Sequence, residues 1–99
     1  MTINRTQDGE IITLVLEGRL DTTTSPSLQE VLVPEFDTAT QVNLDFAELK
    51  YVSSAGLRVL LMGEKTAKAK GAKMTLLNVS DEIMEVFKMT GFSDILRFE

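Results

Sequence analysis

Two adjacent serines, Ser53 and Ser54, lie between an apolar run and a leucine-rich segment of helical spacing, in the stretch LKYVSSAGLRVLL at 49–61. A serine at the start of a helix accepts a hydrogen bond from an unpaired backbone amide, which contributes about 1 kcal/mol. The same position suits a phosphoserine, because the free amides and the positive end of the helix dipole stabilise its negative charge. Position alone favours the cap, and a phosphorylated serine is the alternative.

Two other residues are candidates for contact with a partner protein. Gly56 permits either the close approach of a partner or tight packing of the helix on the sheet, and the sequence favours neither. Asp21 precedes three threonines, and a local Asx turn or helix cap is the interpretation that its position favours. The alternative is that the Asp21 carboxylate contacts a cation of a partner.

Acidic residues that could bind a metal ion are poorly placed. Asp45 and Glu48 invite comparison with receiver domains, in which carboxylates hold Mg²⁺ beside a phosphorylated aspartate. However, Asp45 falls within a strand pattern, and the chain lacks the acidic pair and the lysine of such a site. There is no histidine and no cysteine, and no set of residues combines a nucleophile, a base and an oxyanion site. We therefore predict no catalytic activity, no metal and no cofactor.

The composition is that of one soluble domain spanning 1–99. Of its 99 residues, 43% are hydrophobic and 25% are charged, and the net charge is −5. This charge argues against nucleic acid or an anionic membrane surface as a partner, since either needs a clustered basic face. The chain has neither an apolar run of ~20 residues nor a signal-peptide core, which predicts a cytoplasmic protein without membrane insertion.

Hydrophobic periodicity predicts the order β-β-α-β-α-β-α-β, an α/β domain with a mainly parallel sheet. A turn at Asp8-Gly9 joins the first two strands as a hairpin, so the first strand forms an antiparallel edge. The second strand is apolar on both faces, which indicates a central position. Strands are predicted over 3–7, 10–17, 41–46, 73–79 and 94–98, and helices from a Ser25 cap to an end or kink at Pro34, over 57–70, and from Ser80 to Gly91.

Three stretches together resemble the STAS domain, and more narrowly the stand-alone anti-sigma factor antagonists of bacteria. They are GRLD at 18–21, VNLDFAELKYVSSAGLRVLL at 42–61 and MTGFSDILRF at 89–98. The resemblance covers nearly the whole chain, in order and with compatible spacing. Its most specific part is 49–61, where the family pattern is an apolar residue followed by Asp, Ser, Ser or Ala, Gly and Leu. The resemblance implies a single STAS fold over 1–99.

The resemblance also implies a function. Unphosphorylated members of this family bind an anti-sigma factor that is also a serine kinase, which frees the sigma factor. The kinase then phosphorylates one serine, the complex weakens, and a PP2C-type phosphatase resets the cycle. Matched position by position, Ser54 falls on the phosphorylated serine and Asp21 on an acidic loop position of the binding surface. The partner-binding surface implied in this way consists of Asp21, Thr22, Val52, Ser53, Ser54, Ala55, Gly56, Leu57 and Arg58.

The chain departs from the family pattern at two positions near the expected phosphoserine. Ser53 stands where Asp is frequent, which makes Ser53 an alternative phosphorylation site, and Arg58 stands where a small residue is common. The sequence also ends just after the last predicted strand, so the C-terminal helix of longer members is expected to be absent. A second function fits the same surface: a non-phosphorylated STAS adaptor subunit of an ABC-type lipid transporter or of another signalling complex.

Overall fold

The chain folds into a five-stranded sheet with helices packed on it. The computed structural model describes all of residues 1–99. The strands follow one another across the sheet in the order β1-β2-β3-β4-β5. β1 is antiparallel to β2, and the other neighbouring pairs are parallel. This confirms the predicted α/β fold and its antiparallel edge strand. The elements are β1 (Thr2–Asp8), β2 (Ile11–Leu20), α1 (Ser25–Glu35), β3 (Gln41–Val52), α2 (Ser54–Lys70), β4 (Lys73–Leu77), α3 (Asp81–Thr90) and β5 (Arg97–Phe98), with a 3₁₀ turn at Phe92–Asp94.

One face of the sheet forms the hydrophobic core. Along β2, Ile12, Leu14 and Leu16 are buried, whereas Thr13 and Val15 between them are partly exposed, because side chains alternate across a strand. β2 is paired on both edges, as predicted for a central strand, but only one of its faces is buried. The other face stays partly exposed, since the helices cover one side of the sheet. The helices contribute to the core Leu28, Leu32, Leu57, Leu60, Ile83 and Phe87.

The junction between β3 and α2 differs most from the sequence prediction. β3 does not end at 46 but continues to Val52, because it remains paired with β2 through two register shifts as far as the pair Leu20 and Val52. α2 then begins at Ser54 rather than at 57, with Ser53 as its N-cap. The two serines therefore lie at the carboxyl end of a central strand, directly at the start of a helix.

The start of α1 is displaced by one residue from the prediction. Thr24 is the N-cap and Ser25 is the first helical residue, whose hydroxyl and backbone N–H both donate to the carbonyl oxygen of Asp21. Pro34 lies in the last turn of α1, and the helix ends one residue later at Glu35, close to the predicted end. The two hydrogen bonds from Ser25 to Asp21 attach the first turn of α1 to the loop that follows β2.

The C-terminal strands are shorter than predicted. β4 ends at Leu77 because Asn78 has a φ of 56°, in the left-handed region that interrupts a strand. β5 comprises only Arg97–Phe98, since Phe92–Asp94 form a 3₁₀ turn after α3. None of the helices combines the length and the apolar character that are needed to cross a bilayer.

Candidate functional site

Ser53 is fixed in place by three hydrogen bonds at the end of β3. Its backbone N–H donates to the Leu20 carbonyl at 2.8 Å, and its carbonyl accepts from Leu57 N at 2.9 Å, which is the first bond of α2. Its side-chain Oγ accepts from Gly56 N at 3.3 Å, the usual geometry of an N-cap. The predicted serine cap is therefore present, and Ser53 provides it.

Ser54 differs from its neighbour in both exposure and bonding. It is the first residue of α2 and is exposed, whereas Ser53 is half-buried. The Ser54 hydroxyl forms no hydrogen bond within the chain. The bond that caps α2 is made by Ser53 instead. At this position a group attached to Oγ lies beside the unpaired amides of the first helical turn. The structure therefore distinguishes a serine that caps the helix from an exposed serine whose hydroxyl is unbonded.

Gly56 packs against the end of β2. A Cβ atom at this position would lie 2.7 Å from Leu20 Cγ and 3.1 Å from the Leu20 carbonyl oxygen, closer than atoms can approach without displacement. Of the two alternatives left by the sequence, tight internal packing therefore explains this glycine. Leu57 and Val52 on either side of it are also buried, so these residues position the site from within.

The Asp21 carboxylate organises the loop between β2 and α1. Its Oδ1 accepts hydrogen bonds from Thr23 N at 3.1 Å, Thr23 Oγ1 at 2.8 Å and Thr24 N at 3.1 Å, which confirms the expected Asx-type turn. The bond from the Thr23 hydroxyl, helped by those from Thr24, outweighs desolvation and lowers the pKa of Asp21. Its other oxygen, Oδ2, is 3.9 Å from Arg19 Nε.

The loop and the start of α2 form one continuous surface. They are joined through Leu20, which bonds to Ser53 and packs on Gly56. Thr22 from the loop and Ala55 and Arg58 from the helix line the same groove. Of the nine predicted partner-binding residues, Thr22, Ser54 and Arg58 are exposed, and Asp21, Ser53 and Ala55 are half-buried. Val52, Gly56 and Leu57 are buried, so they support this surface from within and do not form part of it.

Arg19 and Tyr51 extend this surface and were missed by the sequence reasoning. The Arg19 guanidinium lies 4.2 Å from the centre of the Tyr51 ring, a cation–π contact between two exposed side chains. They are paired across β2 and β3, just after the second of the two register shifts, which lies between Gly18 and Arg19. Their contact could not be predicted from the sequence, because no local pattern of residues indicates the shifted register that pairs them.

The acidic residues that suggested a metal site are not brought together. Asp45 Oδ1 accepts from Ala47 N and from Asn78 Nδ2, each at 3.0 Å, and so links β3 to the residue that follows β4. No group of three or more potential metal-ligating side chains occurs in the structure. The function of Asp45 in the fold is therefore structural.

The comparison with known families agrees with this geometry. Residues 3–97 match the family model described as Mlab, STAS domain. The chain belongs to the STAS domain family. Because the match spans nearly all of the chain, it confirms the resemblance found in the sequence.

Curated relatives and a solved structure are similar over most of this STAS domain. The anti-sigma-B factor antagonist of Listeria monocytogenes is 28% identical over 94 residues, covering 94% of this chain and 82% of the relative. That of Staphylococcus epidermidis is 34% identical over 80 residues, covering 80% of this chain and 74% of the relative. Unphosphorylated SpoIIAA, an anti-sigma factor antagonist, superposes with a TM-score of 0.80 at 18% identity, covering 99% of this chain and 87% of that chain. The last comparison confirms the STAS fold.

Proposed function

We propose that this STAS domain is an anti-sigma factor antagonist, which binds an anti-sigma factor and thereby releases a sigma factor. Relatives with this name match across most of the chain, at 28% and 34% identity. The surface formed by the Asp21 loop and the start of α2 supplies exposed groups for such a contact on a rigid base. In this proposal the protein acts in the cytoplasm, where sigma factors work, and performs no chemistry itself.

Phosphorylation of Ser54 controls this binding in our proposal. The observation that carries it is the difference between the two serines: Ser53 Oγ is bonded to Gly56 N, whereas the exposed Ser54 hydroxyl is unbonded. A kinase needs access to a hydroxyl that can lose its proton, and transfer to Ser54 leaves the cap of α2 intact. The proposed partners are an anti-sigma factor with serine kinase activity and a PP2C-type phosphatase that reverses the reaction.

The effect of the phosphate on binding follows from its charge. A phosphoserine carries about −1.5 to −2 charges near pH 7. Burying that charge in an interface without a matching cation is strongly unfavourable. A penalty of only ~3 kcal/mol weakens binding by ~10²-fold, which is enough to separate the bound and released states.

Mass spectrometry tests the assignment. The chain is incubated with ATP and the serine-kinase anti-sigma factors of its source organism, and the modified residue is located by fragmentation. We expect phosphate on Ser54 in the wild type and in Ser53→Ala, and none in Ser54→Ala. Phosphate on Ser53, or no transfer from any of these kinases, would contradict the phosphorylation proposal.

A STAS adaptor that is not phosphorylated is the second candidate function, as a subunit of an ABC-type lipid transporter or of another signalling complex. Ser53 favours it, because this residue replaces the aspartate that is frequent before the phosphorylated serine in the family. An adaptor uses the same surface but remains bound in the presence of ATP. Co-purification with transporter subunits, together with unmodified Ser54, would support this candidate over the first.

A further inference from the structure

A groove of about 320 Å³ separates α1 from α2 on the outer side of the helical layer. It opens beside the start of α2, one turn from Ser54, and runs along both helices. Ser25 and Val59 are buried at its base, and the more exposed residues form its sides. The residues that line it are Thr22, Ser25, Pro26, Gln29, Ala55, Arg58, Val59 and Met62.

Arg58 is the one charged residue among those lining the groove. It is exposed and forms no ion pair with any carboxylate of the chain. In a protein with a net charge of −5, an unpaired cation at the side of a groove without acidic residues is a local positive site. Such a site complements a carboxylate, and an arginine binds a carboxylate through two parallel hydrogen bonds.

The rest of the groove complements an apolar side chain. Met62 is 41% exposed and presents apolar surface to the groove beside Arg58. It lies four residues after Arg58 on α2, and therefore on the same face of the helix. Pro26 on α1 and Val59 at the base add apolar surface next to it. Methionine adapts readily to the shape of a partner side chain.

We infer that this groove, which we call the α1–α2 groove, binds a segment of the anti-sigma factor that presents an apolar side chain next to a carboxylate. The apolar side chain packs between Pro26, Val59 and Met62, and the carboxylate accepts hydrogen bonds from Arg58. This inference rests on the proposed function and adds the chemistry of the partner segment. It also extends the binding surface along α2, from Ser54 to Met62.

Calorimetric titration tests the inference with matched pairs of variants. The purified anti-sigma factors of the source organism are first titrated with the wild type, and the one that binds is titrated with Arg58→Glu, Arg58→Gln and Met62→Gln. Arg97→Glu is the control for charge, because Arg97 is an exposed arginine of β5 at the edge of the sheet. Met89→Gln is the control for the methionine, since Met89 is 79% exposed on α3 and does not line the groove.

We expect Arg58→Glu to weaken binding by about 30-fold or more. Met62→Gln is expected to weaken it by about five- to tenfold, through loss of apolar contact. The two controls should stay within about twofold of the wild type. Raising the salt concentration should weaken the wild type more steeply than Arg58→Gln, which lacks the charge. All substituted residues are exposed, and circular dichroism verifies that each variant is folded.

The outcomes separate this inference from the proposed function. If no anti-sigma factor binds the wild type, both are overturned. If one binds the wild type and the groove variants equally well, or if the controls lose as much affinity as the groove variants, only the inference about the groove is wrong. A wild-type dimer that Arg58→Glu dissociates would show that a second copy of the chain occupies the groove, and would also overturn the inference.

Discussion

Ser53 Oγ accepts a hydrogen bond from Gly56 N at 3.3 Å, so the first of the two adjacent serines caps α2 and the second does not. From the sequence alone, either serine could be the helix cap and either could be the modified residue. This hydrogen bond shows that Ser53 is the cap. Stability of the helix start depends on Ser53, whereas Ser54 presents an unbonded hydroxyl to other molecules. The cap and the proposed modification site therefore occupy consecutive positions.

The cap predicts unequal effects of two alanine substitutions on stability. Ser53→Ala should lower the free energy of unfolding by about 1 kcal/mol, because the Gly56 amide loses its acceptor. Ser54→Ala should change it by less than about 0.5 kcal/mol, since this exposed side chain makes no bond. Urea unfolding followed by circular dichroism measures both. Ser53→Asp is the control, because aspartate caps as well as serine, and it should retain the stability of the wild type. Equal losses for the two alanine variants would show that the capping bond is unimportant.

Substitutions of Ser54 are expected to separate partner binding from modification. Ser54→Ala should bind the anti-sigma factor as tightly as the wild type, because it removes only an unbonded hydroxyl. Ser54→Glu should bind at least about tenfold more weakly, since a negative charge at this point of the interface is desolvated and competes with the partner's carboxylate for Arg58. Ser54→Gln has a similar shape without the charge and serves as the control. Titration calorimetry gives the dissociation constants, and tight binding by Ser54→Glu is the result that refutes the switch.

The Asp21 turn predicts a pH dependence of stability. The hydrogen bonds from Thr23 and Thr24 place the pKa of Asp21 below its ordinary value of 3.8. A carboxylate whose pKa is lower in the folded than in the unfolded state stabilises the fold at pH values above the unfolded pKa, and this contribution is lost as the pH falls through the folded pKa. Unfolding free energies measured between pH 6 and pH 2 should therefore fall less steeply for Asp21→Asn than for the wild type.

Thr23→Ala provides the matched control for this titration. It removes the Thr23 hydroxyl, the strongest contributor to the lowered pKa, but leaves the backbone donors of the turn in place. The pKa of Asp21, followed by NMR of its carboxyl carbon, should move part of the way back toward 3.8. An unchanged pKa would mean that other groups control this carboxylate.

Packing of α2 on β2 predicts a penalty at Gly56. A glycine to alanine change inside an exposed helix usually stabilises it by about 1 kcal/mol. Here the new Cβ would lie 2.7 Å from Leu20 Cγ, so we expect Gly56→Ala to destabilise the protein by about 1–3 kcal/mol instead. Urea unfolding of Gly56→Ala, Leu20→Ala and the double variant measures the coupling between the two sites. The double variant should be less destabilised than the sum of the single variants, and strict additivity would exclude a direct contact.

The sequence was sufficient to predict the order of the elements and the place of the serine pair near the start of α2. Alternating apolar residues marked the strands, the spacing of Leu57, Leu60 and Leu61 marked α2, and the serine pair marked its start. These are local signals, and each depends on residues close together in the chain. The STAS resemblance added the expected role of Ser54, which local patterns alone did not favour.

What the sequence could not predict depends on contacts between distant segments. β3 continues to Val52 because β2 remains alongside it through two register shifts, and an alternation of apolar residues does not reveal such shifts. The same shifts bring Arg19 over Tyr51. The groove next to Arg58 is lined by residues of both α1 and α2, so it depends on how the two helices pack and not on the sequence of either helix. Local reasoning therefore placed the candidate serine pair at the start of α2 but did not indicate the groove beside it.

Arg58 lies four residues after Ser54 on α2, which predicts an interaction between its guanidinium and a phosphate on Ser54. An anion and a cation in this order stabilise a helix by about 0.2–0.5 kcal/mol, so the second pKa of phosphoserine should rise by about 0.2–0.4 units in Arg58→Gln. Phosphoserine incorporated directly at position 54 permits this measurement by phosphorus NMR without a kinase. Lys65→Gln, further along the same helix, is the control and should leave that pKa unchanged. Identical pKa values in all three proteins would exclude the pairing, and Arg58 would then contribute nothing to the phosphorylated state.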